Sequence, residues 1–519
     1  MLALFAIAIP VSEYFTSVFQ FLLALNWVLE FDFKEKLKRI KANKSILLFP
    51  LLFLLHFVWL INTENFSYAF HDIKIKLPLL VLPVLIGSSP IISYKEIKIL
   101  LLLFVSTIIV SSLISISVLA GIWKHEYSDI REISVFISHI RFSLMLVLSV
   151  FILVYYLLFQ KKKLSRIEIF VFPLLIIWII VFLYILNSLT GIFILAFTTI
   201  LFLIYYANRI KHLVSRIFLL MLIISLFLIG FSYISKQVSA FYKTEIVSPE
   251  TIDEKTVNGN QYEHNFGINY LENGNFVWLY YCGPELMSQW NKRSSIDFNG
   301  NDSKGQVLRY TLVRYLSSKG LRKDSAGICG LDQKDIENIE NGIANYRFTD
   351  KYSLKVMIYK IIWQIDTYSK TGNPTGHSVT QRIEYLKTAF HIIQNNFWFG
   401  TGTGDVQLAF DLEYNKVKSP LPEKLRRRSH NQLVTFFVSF GFFGFFMALL
   451  SFFLPFFMNK KKWNFLISSF MIITALSMLN EDTLETQTGV SFIIFFYCFL
   501  IFACNFKSEQ LLKDDNRKE

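Results

Sequence analysis

Eleven stretches of this chain are apolar for long enough to cross about 30 Å of hydrocarbon, and short charged connectors separate most of them. They run Val11–Glu30, Ile46–Ile61, Leu77–Ile92, Ile99–Ala120, Val135–Phe159, Ile167–Leu186, Leu189–Ala207, Ser215–Ile234, Gln432–Met458, Trp463–Leu479 and Gly489–Cys504. Inside lipid every backbone N–H and C=O must be paired within the protein, which leaves helices and closed barrels. The runs lack the period-two alternation of barrel strands, so the prediction is an all-α polytopic membrane protein. Pro10, Ser12 and Glu13 can mark the bend of a shallow hairpin between two short spans, which would bring the crossings to twelve. Met1–Ile9 lacks the basic start of a cleavable leader and is read as retained.

Orientation follows from where Lys and Arg collect. Lys34, Lys36, Lys38, Arg39, Lys41 and Lys44, then Lys161–Lys163 with Arg166, then Arg209, Lys211 and Arg216, then Lys460–Lys462 alternate so as to lie on one side. By the positive-inside rule that side is cytoplasmic, and the tail with Lys507, Lys513, Arg517 and Lys518 joins it. Four regions follow: an N-terminal helix bundle (1–236), an outer loop domain (237–431) with its functional segment at 382–431, C-terminal spans (432–506) and a cytoplasmic tail (507–519). The formal charge of +13 is largely this insertion signal, because the outer region carries 24 Lys and Arg against 21 Asp and Glu, a net of +3. With no recognisable binding module, nucleic acid is not an expected partner.

Within the outer region, Thr244–Asn275 is polar, with Asn258-Gly-Asn260 and Asn273-Gly274, and reads as turns. Asp332, with Asp335 three residues on and Gly342 beyond Ile336 and Ile339, has the signature of a short capped helix. Tyr352–Tyr368 is apolar at helical spacing, as for an amphipathic helix lying on the membrane or on the bundle. Cys282 and Cys329 share the oxidising side, so a bond between them is permitted. No Cys/His spacing resembles a metal site, and no cofactor is expected.

Functional residues concentrate between Arg382 and Gly444. From Arg382 a helical period puts Tyr385 and Ala389 near its face, and Asn395-Asn396 ends the helix. Gly400-Thr-Gly-Thr-Gly404 offers amides unobstructed by Cβ atoms, either an anion-binding nest at Gly402 and Gly404 or a tight loop. Arg426-Arg-Arg-Ser-His-Asn431 then leads into an apolar helix. Guanidinium groups bind phosphate oxygens two at a time, and an imidazole can take up a proton near neutral pH. Beside a membrane, those groups suit a lipid-linked phosphate. His430 can equally serve as a local hydrogen-bonding residue at a helix start, and two of Arg426, Arg427 and Arg428 as headgroup anchors. Arg141, within an apolar run, should face a partner or a cavity unless it reaches the nearby interface.

The helix start at Arg382, the turn Asn395-Asn-Phe-Trp-Phe-Gly-Thr-Gly402, and Ser429-His-Asn431 leading to Phe440-Gly-Phe-Phe-Gly444 together resemble the signature region of the O-antigen ligase and O-antigen polymerase superfamily. The insert from Asn258 to Asn345 resembles the extended version in Bacteroidetes-type members. The resemblance implies a GT-C-like, inverting, metal-independent glycosyltransferase of the bacterial inner membrane with its large loop in the periplasm. Its donor would be an undecaprenyl-diphosphate-linked glycan and its acceptor the lipid A core. A polysaccharide polymerase or a protein O-oligosaccharyltransferase would share these marks.

Under that resemblance Arg382 matches the family's loop arginine and His430 its essential histidine, 48 residues apart. The implied catalytic pair is His430 and Arg382. Arg141, Arg428, Gly402, Gly404 and Asn431 are the expected diphosphate and glycan contacts. Where such ligases often carry Ser-Arg-x-Gly, this chain has Ser188-Leu-Thr-Gly191, and Arg141 is the expected substitute for the absent arginine. A polysaccharide or lipid transporter, the main non-enzyme reading, would show charged groups across several spans, whereas these interiors are almost wholly apolar.

Overall fold

The computed structural model describes residues 1–504 apart from 128, 245–246, 249, 251, 269, 350–353 and 460–463. Lys460–Lys462, Trp463 and the tail from 505 therefore lie outside the described residues. The chain divides into two compact units, Met1–Arg209 with Asn373–Glu519, and Ile210–Gly372. The division differs from the expected boundaries at 237 and 431. The segment from Asn373 packs with the helix bundle, while the apolar helix starting at Leu213 groups with the intervening region.

The first unit contributes α1 (Leu2–Ala8), α2 (Glu13–Leu29), α3 (Phe33–Ala42), α4 (Leu48–Val58), α5 (Phe66–Lys76), α6 (Pro78–Ser88), α7 (Tyr94–Leu119), α8 (His139–Phe159), α9 (Arg166–Ile185) and α10 (Leu189–Ala207). In the second unit lie α11 (Leu213–Tyr242), α12 (Gly283–Arg293), α13 (Leu308–Ser318), α14 (Ser325–Cys329), α15 (Gln333–Glu340) and α16 (Leu354–Thr371). The first unit resumes with α17 (Ser378–Asn395), α18 (Val406–Lys416), α19 (Gln432–Met458), α20 (Phe465–Asn480) and α21 (Gln487–Cys498).

The protein is an all-α polytopic membrane protein. Among the described residues seven helical segments are long and apolar enough to cross a membrane: Lys44–Asn62, α7, α8, α9, α10, α11 and α19. An eighth arises if α2 and α3, bent by 108° at their junction, count as one. The remaining expected runs are helical but short. α6 has 11 residues, about 16 Å at 1.5 Å per residue, and α20 and α21 are likewise short apolar helices. The hairpin bend falls at Pro10–Ser12, where Ser12 caps α2 by accepting from Phe15 N. With seven residues, α1 is too short to cross.

Capping explains where the long helices begin. Ser93 with Glu96 and Ser165 with Glu168 form capping boxes on α7 and α9, pairing amides that would otherwise be orphaned. In lipid, packing and interhelical hydrogen bonds hold helices together rather than a hydrophobic drive. Trp27 donates to Ser88 Oγ (2.8 Å) and Trp178 to Ser112 Oγ (2.8 Å), while Gly191 lets α10 approach Ser143 on α8. The bundle's two ends have different chemistry. At one end Lys98 pairs with Glu168 (2.6 Å), Asn459 donates to Ser45 Oγ (2.8 Å) and Ile92 N to Ala503 O (3.0 Å). The other end holds the connector between α20 and α21, where the charged side chains described below converge.

α19 is two helical pieces joined at Gly441, whose φ of 62° and ψ of −166° are non-helical. The loop before α18 supplies the missing hydrogen bonds. Thr401 N donates to Val438 O (2.9 Å), Gly402 N to Ser439 O (3.0 Å), and Phe442 N to Phe397 O (2.7 Å). An irregular backbone inside a membrane bundle survives only when protein groups pair it in this way. Gly400 and Gly441 meet so closely that a Cβ on Gly400 would sit 2.5 Å from Gly441 N.

The second unit has its own core, with Leu286, Trp290, Leu312, Leu316, Ile336 and Ile339 buried together. Asp332 and Asp335 make the expected capping box on α15, and Gly342 follows with φ 68°. α16 packs on α11. Asn273-Gly274 forms the turn of a two-residue hairpin, Leu271–Glu272 against Asn275–Phe276, with both turn residues at positive φ. Cys282 is buried, Cys329 is exposed, and both are free.

Candidate active site

A five-residue connector between two apolar helices, Glu481-Asp-Thr-Leu-Glu485, carries three carboxylates, and the charged residues of four other segments close on it. Arg382, one turn into α17, donates from Nη1 to Asn480 O (3.0 Å) and from Nη2 to Glu481 Oε1. Arg141 donates to Asp482 O (3.2 Å) and stands 3.8 Å from Glu481 Oε2. His430 Nδ1 lies 3.4 Å from the same Oε2. One carboxylate therefore faces two guanidinium groups and an imidazole at once.

His430 adopts a left-handed backbone (φ 50°), which is uncommon outside glycine and is sustained only where the surroundings impose it. Its amide donates to Asp482 Oδ2 (3.0 Å), and Asn431 beyond it caps α19 by accepting from Leu433 N and Val434 N (both 3.1 Å). The Asp482 carboxylate also accepts from Thr435 Oγ1 (2.7 Å). The imidazole packs beside Tyr385 at 5.5 Å, and among the described residues Nε2 meets no partner. Nδ1 is thus turned to Glu481, and Nε2 is the ring nitrogen left unpaired among the described residues.

The other end of the connector is built from the same residue types but is sealed. Glu485 accepts from Lys76 Nζ (2.8 Å), Arg428 Nη1 (3.2 Å) and Gln432 Nε2 (2.9 Å), while Lys76 also pairs with Asp72. Arg428 reaches Tyr68, both as donor to its hydroxyl and over its ring at 5.0 Å. Exposure sets Arg382 and His430 apart: their side chains are 37% and 28% accessible, against 11% for Arg141 and 12% and 2% for Arg428 and Lys76.

Burial pushes the Glu481 carboxyl up, but the His430 hydrogen bond and the Arg382 charge outweigh it and hold the group below the usual carboxylate range. Glu485 is likewise held down, Lys76 and Arg428 countering its burial. Asp482 moves the other way, raised by burial and by the nearby Glu485 charge.

Of the residues expected from sequence, Arg382, Arg141, His430 and Arg428 meet on the connector. Arg141 is in the first turn of α8, because the helix starts at His139 rather than at Val135, so it lies at the rim of the span and not two turns inside. Its Nε is buried without a hydrogen-bond partner among the described residues. Arg426 is used locally, donating to Leu421 O (3.1 Å) and Asn415 Oδ1 (2.6 Å), and Arg427 is exposed. Asn431 acts as a helix cap that also donates to Leu479 O (2.9 Å). Gly402 N donates to Ser439 O and Gly404 N to Thr63 Oγ1 (3.2 Å), so these amides knit the loop to the broken helix and to the segment before α5. The geometry follows the tight-loop reading rather than the anion nest.

Sequence reasoning passed over Glu481, Asp482, Glu485, Lys76 and Tyr68. The available signal was three acids in five residues between apolar helices, a cost that lipid-embedded proteins seldom carry without a partner.

An all-helical membrane bundle thus gathers two arginines and a histidine around one carboxylate at a single end. Residues 352–449 match the family model described as O-antigen ligase, so this stretch of the chain is similar to that family's domain. No curated protein matches the chain.

Proposed function

We propose that this protein is a glycosyltransferase that moves a glycan from undecaprenyl diphosphate to the lipid A core at the periplasmic face of the bacterial inner membrane. The observation that carries the reading is Glu481, which holds Arg382, Arg141 and His430 together with only two oxygens. His430 Nε2 takes the proton of the acceptor hydroxyl, and the freed oxygen attacks the anomeric carbon with inversion. The bond from that carbon to the diphosphate oxygen breaks, and Arg382 and Arg141 hold the departing undecaprenyl diphosphate. A fixed guanidinium pair is suited to this because charge on the leaving group grows as the bond breaks. Glu481 keeps the imidazole oriented and supports the imidazolium that forms.

The grouping of ends supports the periplasmic reading. Lys98, Lys163 and Arg166 lie at the end opposite the connector, as the positive-inside rule requires if the site is outside. In intact spheroplasts, Ser303→Cys in a Cys329→Ser background should react with a membrane-impermeant thiol reagent, whereas labelling only after lysis would reverse the orientation.

The activity itself is tested by incubating detergent-purified protein with undecaprenyl-diphosphate glycan and lipid A core. Transfer by the wild type that is lost in Arg382→Ala is expected, and no transfer by the wild type sinks the ligase reading. Deleting the gene sorts the outcomes: glycan missing from lipid A supports a ligase, unpolymerised glycan a polymerase, and glycan missing from proteins a protein glycosyltransferase.

A further inference from the structure

The second unit contains a cavity of about 270 Å³ lined by Glu263, Asn265, Trp278, Tyr281, Arg309 and Tyr310, with Val313 also against it. Two extended segments build one wall. Glu263 and Tyr281 exchange backbone hydrogen bonds (2.8 and 3.1 Å), and Asn265 N donates to Trp278 O (2.9 Å). The opposite wall is α13, where Arg309 and Val313 are four residues apart and so share a face.

The aromatic rings make a corner. Trp278 stands 6.1 Å from Tyr310 at 79° and 6.0 Å from Tyr281 at 59°. Around it are polar groups the chain leaves unused. Among the described residues, the Glu263 carboxylate, the Trp278 indole N–H and the Tyr281 hydroxyl find no partner within the protein. Arg309 reaches only its neighbour Tyr310, 3.1 Å to the hydroxyl and 4.9 Å over the ring, and joins no ion pair among the described residues. Burial, with the Glu263 charge next, pushes the Tyr281 phenol up, so it stays a donor at physiological pH.

We propose that this cavity is a sugar-binding subsite that seats one pyranose ring of the glycan the enzyme handles. Stacked C–H faces of a pyranose match the flat indole and phenol rings. Its ring of hydroxyls needs donors and acceptors at several angles, and Glu263, Arg309, Asn265 and Tyr281 supply both kinds. An apolar ligand would leave the Glu263 and Arg309 charges desolvated and unmatched, which is costly. The volume is just below the roughly 300–1,000 Å³ of ordinary ligand pockets, which fits one ring rather than a folded oligosaccharide. That the sugar belongs to the transferred glycan rests on the transferase reading above.

The test uses the full chain in detergent and, as probe, the soluble oligosaccharide freed by mild acid from the cells' own lipid-linked glycan. Calorimetry should show binding that Trp278→Ala weakens about tenfold or more, as for an aromatic anchor of an interface. Glu263→Gln and Arg309→Ala, both at exposed positions, should weaken it several-fold without moving the thermal unfolding midpoint. No binding by the wild type, or equal binding by wild type and by Glu263→Gln and Arg309→Ala, overturns the proposal whether or not Trp278→Ala folds. Transfer measured on the same preparations separates the two readings. Protein that binds the probe through Trp278 but transfers nothing sinks the transferase alone, and active protein whose probe binding ignores Trp278, Glu263 and Arg309 sinks the subsite alone.

Discussion

Glu481 and Glu485 sit at opposite ends of one short connector, the first facing two guanidinium groups and an imidazole, the second a lysine and a guanidinium, yet their surroundings differ. At Glu481 two of the three partners, Arg382 and His430, are partly open to solvent, and among the described residues Arg141 keeps a buried, unpaired Nε and the imidazole an unpaired Nε2. At Glu485 the largely buried Lys76 and Arg428 share one carboxylate oxygen, and the other oxygen accepts from Gln432. The difference teaches that residue type alone does not separate an open ion pair from a sealed one. What separates them is whether any hydrogen-bonding capacity is left over for a substrate.

The sharpest break in that comparison is His430→Ala. Losing a general base typically costs about 10² to 10⁴-fold in rate, and donor binding should survive because the arginines remain. Near-normal turnover with saturating lipid-linked donor, in monodisperse protein, would remove His430 from the mechanism. The mirror experiment is Glu485→Ala. Breaking one partner of a buried pair leaves uncompensated charge and costs about 3–5 kcal/mol, so loss of thermal stability in detergent is expected, with little folded protein recovered. A variant as stable as the wild type would show that the sealed end is not structural.

A finer contrast comes from Arg→Lys at both ends. Arg382→Lys keeps the charge but not the planar fork, so transfer should fall about tenfold or more while expression and unfolding midpoint stay unchanged. Arg428→Lys should do the reverse, lowering stability more than the rate per folded molecule. Equal effects of the two on rate would erase the distinction between the ends.

The smallest effect concerns pH. Because the Glu481 carboxyl is held below its ordinary value, its pairing stabilises the fold fully above the unfolded carboxylate range of about 4. That contribution is lost as pH falls through the depressed value. The unfolding midpoints of wild type and Glu481→Gln should therefore differ at pH 7 and converge in acid. A gap that widens on acidification would give the shift the opposite sign.

Much of this could be read from the sequence because lipid is an undemanding reader. Run length and apolar composition alone predict helices at every one of the eleven stretches, and each is helical where described. The Asp332 cap was legible because a side chain three residues from an amide is the nearest available acceptor, and the helix through Arg382 because its residues recur at helical spacing. Less visible was the broken helix at Gly441, since an apolar run with two glycines looks continuous until a loop from forty residues earlier donates into it. The Gly400–Gly404 turn was read as a possible nest for the same reason, its amides being open in sequence and spent in space.

By itself the sequence determined the helical class, the positions of the membrane runs, and the arginines and histidine that the O-antigen ligase resemblance picks out. Only the tertiary structure decided which of those basic groups stay available. A carboxylate's choice of partner depends on distance and burial, and Glu481 lies 99 residues from Arg382 and 340 from Arg141. Spacing along the chain carries no information about contacts of that range, whereas helix packing brings all three to one point and leaves Glu485, four residues on, sealed among its own partners.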